Sequence, residues 1–390
     1  MMPPVLNLWN SFLRILFFVA LFFLGFFLFY NQAFNNYPSD LPSHINIAMR
    51  MFSGKTIVVH PGFHAVAFLF SKVLYTSIEY GAIMALSTAL VSLAIGISLV
   101  LRIFLRDLYS DTSMVVMTAI LLLVSAIYLP FFNENIYLGQ GSPNVWHNPT
   151  ILAVKPFVLP CILLTLPFLS QRPSEAGVPM RFWLTSILLA VSTMMKPSFM
   201  LTFLPTIVIY LYLKKSSGRL DNNSKLLLLL LPSILIIELQ LFGSIAKRST
   251  AGFVIDFLGV WRLYSPNVFV SFLLATAFPL SIMLFRMRQC LNNDYIVLSA
   301  INLSVGYLLY MCFAEQGPRF AHGNFGWSRQ IGLQIVFVFC AIEFFKWIKS
   351  NSSSSISGKI MISVSSILLS LHVISGTYYL LRILAGNTYH

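Results

Sequence analysis

The chain has 390 residues, of which 57% are hydrophobic and only 9% charged, against about 25% charged in a soluble domain. So few charges cannot cover a soluble globular surface, which excludes that class and predicts an all-α, polytopic transmembrane helical bundle. The net charge of +13 is not a nucleic-acid signal, because the basic residues are scattered between apolar segments as topology signals are. The expected partner is the lipid bilayer, with no nucleic acid.

In chain order, apolar runs long enough to cross a bilayer, about 17–25 residues, fall near 12–30, 80–103, 113–131, 151–170, 182–195, 198–213, 226–245, 267–286, 295–314, 330–347 and 360–384. The first is too long for a signal peptide and has no small-residue cleavage site after it. Residues 61–78 are apolar but interrupted by His64 and Lys72. If they do not cross and Met1 is cytoplasmic, the compact basic turns fall inside, as the positive-inside rule requires. These turns carry Arg102/Arg106, Arg172/Arg181, Lys214/Lys215/Arg219/Lys225, Arg286/Arg288 and Lys346/Lys349/Lys359. The segment 61–78 is therefore read as interfacial or re-entrant. That gives about eleven crossings, with the N-terminus cytoplasmic and the C-terminus outside. Lys196-Pro197 breaks the run 182–213 into a tight outer turn. The sequence predicts a single integral membrane domain over 1–390, without a soluble domain or an internal repeat. Asn351–Ser357 reads as a flexible linker. Cys161, Cys290, Cys312 and Cys340 fit neither a zinc site nor a disulfide framework.

This topology places His44, His60, His64, His147, His322 and His390 outside, together with the longer loops 31–60, 132–150, 246–266 and 315–329. Functional side chains concentrate on such loops, so the active face is expected to be extracytoplasmic. Asp40 is the only acid in the first 78 residues and shares a helical face with His44 if the stretch is helical. It is either a general base or metal ligand, or a turn or N-cap aspartate between Pro38 and Pro42. His60 and His64 are polar anchors at the interface, metal ligands, or hydrogen-bonding contacts to a sugar or phosphate. The loop Asn133–Thr150 joins amides and aromatics that suit a sugar. Trp146, His147 and Asn148 lead there, with Asn148 able to cap the next helix, and an interfacial tryptophan belt is the alternative. Lys155 lies one turn inside that helix, where a lysine is costly unless it snorkels or faces a polar cavity. The loop Glu315–Gln330 brings Glu315, Arg319, His322, Asn324 and Arg329 together; either its arginines meet phosphate oxygens, which they suit, or it is an ordinary ion-pair and turn loop. Asp256, Trp261 and Arg262 are a weaker version of the same mixture. Lys247-Arg248, basic and outside, runs against the charge rule and marks either a topology error or an anionic headgroup site.

The layout of Tyr37-Pro38-Ser39-Asp40-Leu41-Pro42-Ser43-His44 after the first span, the non-crossing 61–78 segment, and Lys196-Pro197-Ser198 at an outer helix break resemble GT-C class membrane glycosyltransferases. Many members carry paired acids where this chain has the lone Asp40, which leaves dependence on a divalent metal open. The resemblance implies a multi-pass protein of a bacterial cytoplasmic (inner) membrane. It also implies inverting transfer of a sugar from a polyprenyl-phosphate donor to a glycan or lipid-linked acceptor in the cell envelope. Asp40 would be the general base. Arg319, Arg329, Lys155 and Lys196 would meet the donor phosphate. His44, His60, His64, Trp146, His147, Asn148, Glu315, His322 and Asn324 would shape the sugar and acceptor pocket. The competing readings are an O-antigen-type polymerase or ligase, an acyltransferase of surface glycans with a histidine base, and a transporter or flippase of lipid-linked sugars. Glu238 and His372 are the main polar residues inside spans that the last reading would use.

Overall fold

A computed structural model of the chain describes residues 4–56, 58–170, 180–215, 223–246, 252–350 and 355–388. Arg172, Arg219, Lys247-Arg248, His390 and most of the serine run lie outside the described residues. The chain is a helical bundle. Its helices are α1 (Pro4–Phe34), α2 (Leu41–Phe52), α3 (Gly62–Val73), α4 (Ile78–Leu105), α5 (Asp111–Leu123), α6 (Pro149–Ser170), α7 (Met180–Met195), α8 (Ser198–Lys215), α9 (Asn223–Ala246), α10 (Gly259–Tyr264), α11 (Val268–Phe285), α12 (Met287–Leu291), α13 (Asp294–Cys312), α14 (Gly326–Ile348) and α15 (Ile356–Leu384).

Among the described residues, seven helices are long and apolar enough to cross a membrane: α1, α4, α6, α11, α13, α14 and α15. They make the chain an integral multi-pass membrane protein by composition and length. The other expected spans coincide with α5, α7, α8 and α9, whose described apolar parts are 10–17 residues long. Helix α3, with 12 residues, is about 18 Å long, well short of the roughly 30 Å hydrocarbon core. Large apolar side chains such as Phe23, Phe27, Leu99, Ile103, Leu284, Leu308 and Ile374 are exposed on the outer helices, a surface that suits lipid. At the centre stands α14, buried at every residue from Gly326 to Phe345.

The expected continuous span over 113–131 is not seen. Helix α5 stops at Leu123, and Val124 turns to an extended conformation. Residue Leu129 precedes Pro130, which disfavours helix there. The freed backbone is satisfied by neighbours, as it must be in a water-poor interior. Ser125 N–H donates to the His372 carbonyl (3.1 Å), Ile127 N–H to the Leu274 carbonyl (2.9 Å), and Tyr128 N–H to Ser375 Oγ (3.0 Å). The Asn144 amide donates to the carbonyls of Leu121 and Val124. His372 Nδ1 donates to the Ser125 carbonyl, so this intramembrane histidine staples the non-helical segment that follows α5. Gly376 lets α15 approach closely: a Cβ there would collide with the Leu123 carbonyl.

Side-chain pairing separates the two ends of the bundle. Helix α8 starts at Ser198 beside the Lys196 turn and ends where Lys214 pairs with Asp294 at 2.6 Å. Its 18 residues span about 27 Å. At that second end Arg14 and Arg102 both meet Asp111, and Arg286 meets Glu343. At the first end, the loops expected outside are joined to one another. A departure from all-α helps to do this: Phe253–Ile255 (β1) pairs antiparallel with Phe313–Glu315 (β2), with Val254 opposite Ala314. Tyr264 then links three loops, since its hydroxyl donates to the Ala321 carbonyl (2.5 Å) and its carbonyl accepts from Asn133 Nδ2 (2.9 Å).

Candidate functional site

The first loop is fixed by its backbone. Asp40 N–H donates to the His147 carbonyl at 3.0 Å, and Ser39 Oγ donates to the same oxygen at 2.9 Å. Gln32, at the end of α1, reaches the Trp146 carbonyl at 3.0 Å. Asp40 occupies the N-cap position of α2, yet its carboxylate makes no cap bond. Instead Ser39 Oγ accepts from Leu41 N–H, and Asp40 Oδ2 accepts from Asn148 Nδ2 at 2.6 Å. The carboxylate is therefore held by a tertiary contact and not by the helix that follows it.

Asn148 does two things at once. Its Oδ1 accepts from Ile151 N–H at 3.1 Å, capping α6, and from Thr150 Oγ1 at 2.9 Å. Thr150 Oγ1 in turn accepts from Lys196 Nζ at 3.3 Å. The ammonium sits over the Trp327 ring, 4.6 Å from its centroid, a favourable cation–π position. Trp327 Nε1 donates to Asn324 Oδ1 (3.1 Å), Asn324 Nδ2 donates to Glu315 (2.5 Å), and Arg319 Nε pairs with the same carboxylate oxygen at 3.3 Å. Residues from four distant loops thus form one connected line from Asp40 to Arg319.

Electrostatics along this line follow from burial. Part of the Lys196 side chain is accessible, but protein packed round the ammonium lowers its pKa to about 7; Asp40 and Glu315 oppose that drop, and Arg319 adds to it. On the far side of Asp40, His44 Nδ1 lies 3.1 Å from His64 Nε2, and His64 Nδ1 lies 3.1 Å from the His60 carbonyl. A carbonyl can only accept, so His64 carries its proton on Nδ1 and its Nε2 accepts from His44 Nδ1–H. The neutral His44 ring is then left with a bare Nε2 lone pair. Burial, helped by His64 and Lys196, pushes the His44 pKa down to about 3. Burial also lowers His60, to about 4, and His64. All three are neutral hydrogen-bonding groups at pH 7.

The structure brings Asp40, Asn148, Lys196, Glu315, Arg319 and Asn324 into one network, with His44, His60 and His64 next to it. His147 lies just beneath: its Nδ1 is 2.9 Å from the Tyr379 hydroxyl, and its ring packs edge-on against Tyr137. His322 is exposed at the end of the 3₁₀ turn Gly317–His322. Three expected site residues are placed elsewhere. Lys155 is buried and donates to the Pro143 carbonyl, and Trp146 is buried in the same enclosed spot with Leu90 and Leu93. Arg329 is fully buried, its guanidinium 4.2 Å from the Tyr310 centroid and 5.0 Å from that of Trp261, with Nη2 donating to the Tyr137 carbonyl. The physical reason is reach: helix α14 begins at Gly326, and its first turn points Arg329 into an aromatic cage inside the bundle. Thr150, Trp327 and Gln32 were not singled out from sequence. Only their place in already polar loops or at a helix end could have marked them. Among the described residues, no group of three or more His, Cys, Asp or Glu side chains is placed to hold a metal ion.

No protein-family model matches the chain, and no curated protein is significantly similar to it.

Proposed function

We propose that the protein is a GT-C-like membrane glycosyltransferase with about eleven crossings. It moves a sugar from a polyprenyl-phosphate donor to a hydroxyl of a glycan or lipid-linked acceptor at the extracytoplasmic face. Asp40 takes the proton of that hydroxyl as its oxygen attacks the anomeric carbon. The lipid phosphate leaves from the opposite side of the sugar, so the configuration inverts. Lys196 and Arg319 face the negative charge that develops on the departing phosphate. His44, with its free Nε2, accepts a hydrogen bond from a sugar hydroxyl, and Asn324 holds Glu315 and Trp327 in register.

The observation that carries this reading is the hydrogen-bonded connection of a carboxylate to a lysine through Asn148 and Thr150. It supports the reading because a carboxylate able to take a proton and a lysine able to meet a phosphate then stand at the same end of an apolar bundle. Arg329 and Lys155 have no part in it, because both are committed to interior carbonyls.

The test is reconstitution in liposomes with a radiolabelled polyprenyl-phosphate sugar and a lipid-linked saccharide acceptor. A glycosyltransferase elongates the acceptor. Movement of the donor between leaflets without any new glycosidic bond would identify a flippase and refute the proposal.

A further inference from the structure

A groove of about 730 Å³ lies away from the Asp40–Lys196 line, between α10, the start of α11 and α13. Its walls are apolar and aromatic: Leu258, Trp261, Phe269, Phe272, Tyr307 and Met311. The rim is polar, with Arg262 and Asn267. Around it Phe257, Leu263 and Phe269 are exposed, as are Phe253 and Ile255 of β1. Such a cluster of large apolar side chains beside the first residue of a membrane-crossing helix sits at the bilayer surface. That puts Arg262 at headgroup depth and the aromatic walls at the depth of the acyl chains.

Arg262 is exposed and, among the described residues, makes no salt bridge. Asn267 uses its Oδ1 to cap α11 by accepting from Val270 N–H at 3.1 Å, so its amide N–H groups are what it offers a ligand. The rim stands at the N-terminal end of an 18-residue helix, where the backbone dipole favours an anion. It supplies a guanidinium, an amide donor and a positive helix end, but no acid to meet a cationic headgroup.

We infer that this groove is a binding site for an anionic glycerophospholipid of the bilayer, with its phosphate on Arg262 and one acyl chain along the Phe269–Phe272 wall. The inner wall gives the site a structural reach. Trp261 donates to the Gly139 carbonyl (2.5 Å) and, with Tyr307, forms part of the ring cage round Arg329. A lipid chain packed on those two rings holds the cage closed from its outer side. The inference does not depend on the glycosyltransferase reading.

Native mass spectrometry of the purified full chain, titrated with dioleoyl phosphatidylglycerol or dioleoyl phosphatidylcholine, tests it. Both lipids carry the phosphate, but phosphatidylcholine also brings a cation that Arg262 repels and no rim acid meets, so phosphatidylglycerol is expected to bind on the order of 10-fold more tightly. Arg262→Ala should remove that preference and Arg262→Lys should keep part of it. Arg288→Ala, at an exposed arginine beyond the other end of α11, should bind as wild type does. Thermal melting in phosphatidylcholine checks that the variants are folded. Equal affinity for the two lipids, unchanged binding by Arg262→Ala, or an equal loss in Arg288→Ala each overturns the site. Displacement of bound phosphatidylglycerol by a lower concentration of polyprenyl phosphate overturns the choice of occupant.

Discussion

Replacing Asp40 by Asn separates the base role proposed for it from its structural one. The backbone N–H of residue 40 keeps its bond to the His147 carbonyl, and the new amide oxygen can still accept from Asn148 Nδ2, as Oδ2 does at 2.6 Å. What changes is that a charge-assisted hydrogen bond becomes a neutral one. That costs about 1 kcal/mol, the difference between roughly 1.5–3 and 0.5–1.5 kcal/mol, and no cap is lost because Asp40 caps nothing. The protein should therefore insert and melt a few degrees lower at most. An amide cannot take a proton at neutral pH, and general-base catalysis is worth typically 10²–10⁴-fold, or about 3–5 kcal/mol of barrier. Chemistry and structure thus differ by two orders of magnitude or more in the same variant. The assay is single-turnover transfer from a polyprenyl-phosphate sugar by purified Asp40→Asn, with melting temperature alongside. Turnover within a few-fold of wild type in a folded variant would remove Asp40 as the base.

The pH dependence of transfer should report Lys196. Its ammonium is present below its pKa of about 7 and lost above it, so a step that needs the cation declines as pH rises through 7. Lys196→Arg, charged throughout, should abolish that alkaline limb; an identical profile would exclude Lys196 from the step. Arg319→Ala should raise the donor KM or lower kcat by about 10-fold or more with little change in melting, whereas Arg329→Met should act on melting first, since Arg329 is enclosed by Tyr310, Trp261 and Tyr307. The reverse pattern would exchange their roles. Finally, in a cysteine-free background, His322→Cys should react with an impermeant thiol reagent in intact cells while Arg106→Cys, exposed at the other end, stays silent; labelling at Arg106→Cys alone would invert the orientation.

Much of the architecture was legible in the sequence because a bilayer imposes simple arithmetic. A run of apolar residues has to be helical to satisfy its own backbone, and its length decides whether it can cross. That is why α1, α4, α6, α11, α13, α14 and α15 fall where the runs fall, and why residues 61–78 yield only the 12-residue helix α3. Basic turns at one end and amide-rich loops at the other were equally visible, since charge and length are local properties. The break at Lys196-Pro197 was visible for the same reason.

Only the tertiary structure could decide what each polar side chain does. The end of α5 reads as apolar span, yet residues 124–129 are not helical, because α11, α15 and the Asn133–Thr150 loop offer partners that no local pattern reveals. Asp40 reads as a plausible N-cap, but the carboxylate bonds a residue 108 positions away. Lys155, Lys196, Arg319 and Arg329 are alike as letters. One turn of helix or one proline separates those that reach the site from those drawn into an interior carbonyl or an aromatic cage. A cation's role depends on what lies within about 4 Å of its nitrogen, and in this bundle those neighbours come from segments far apart in the chain.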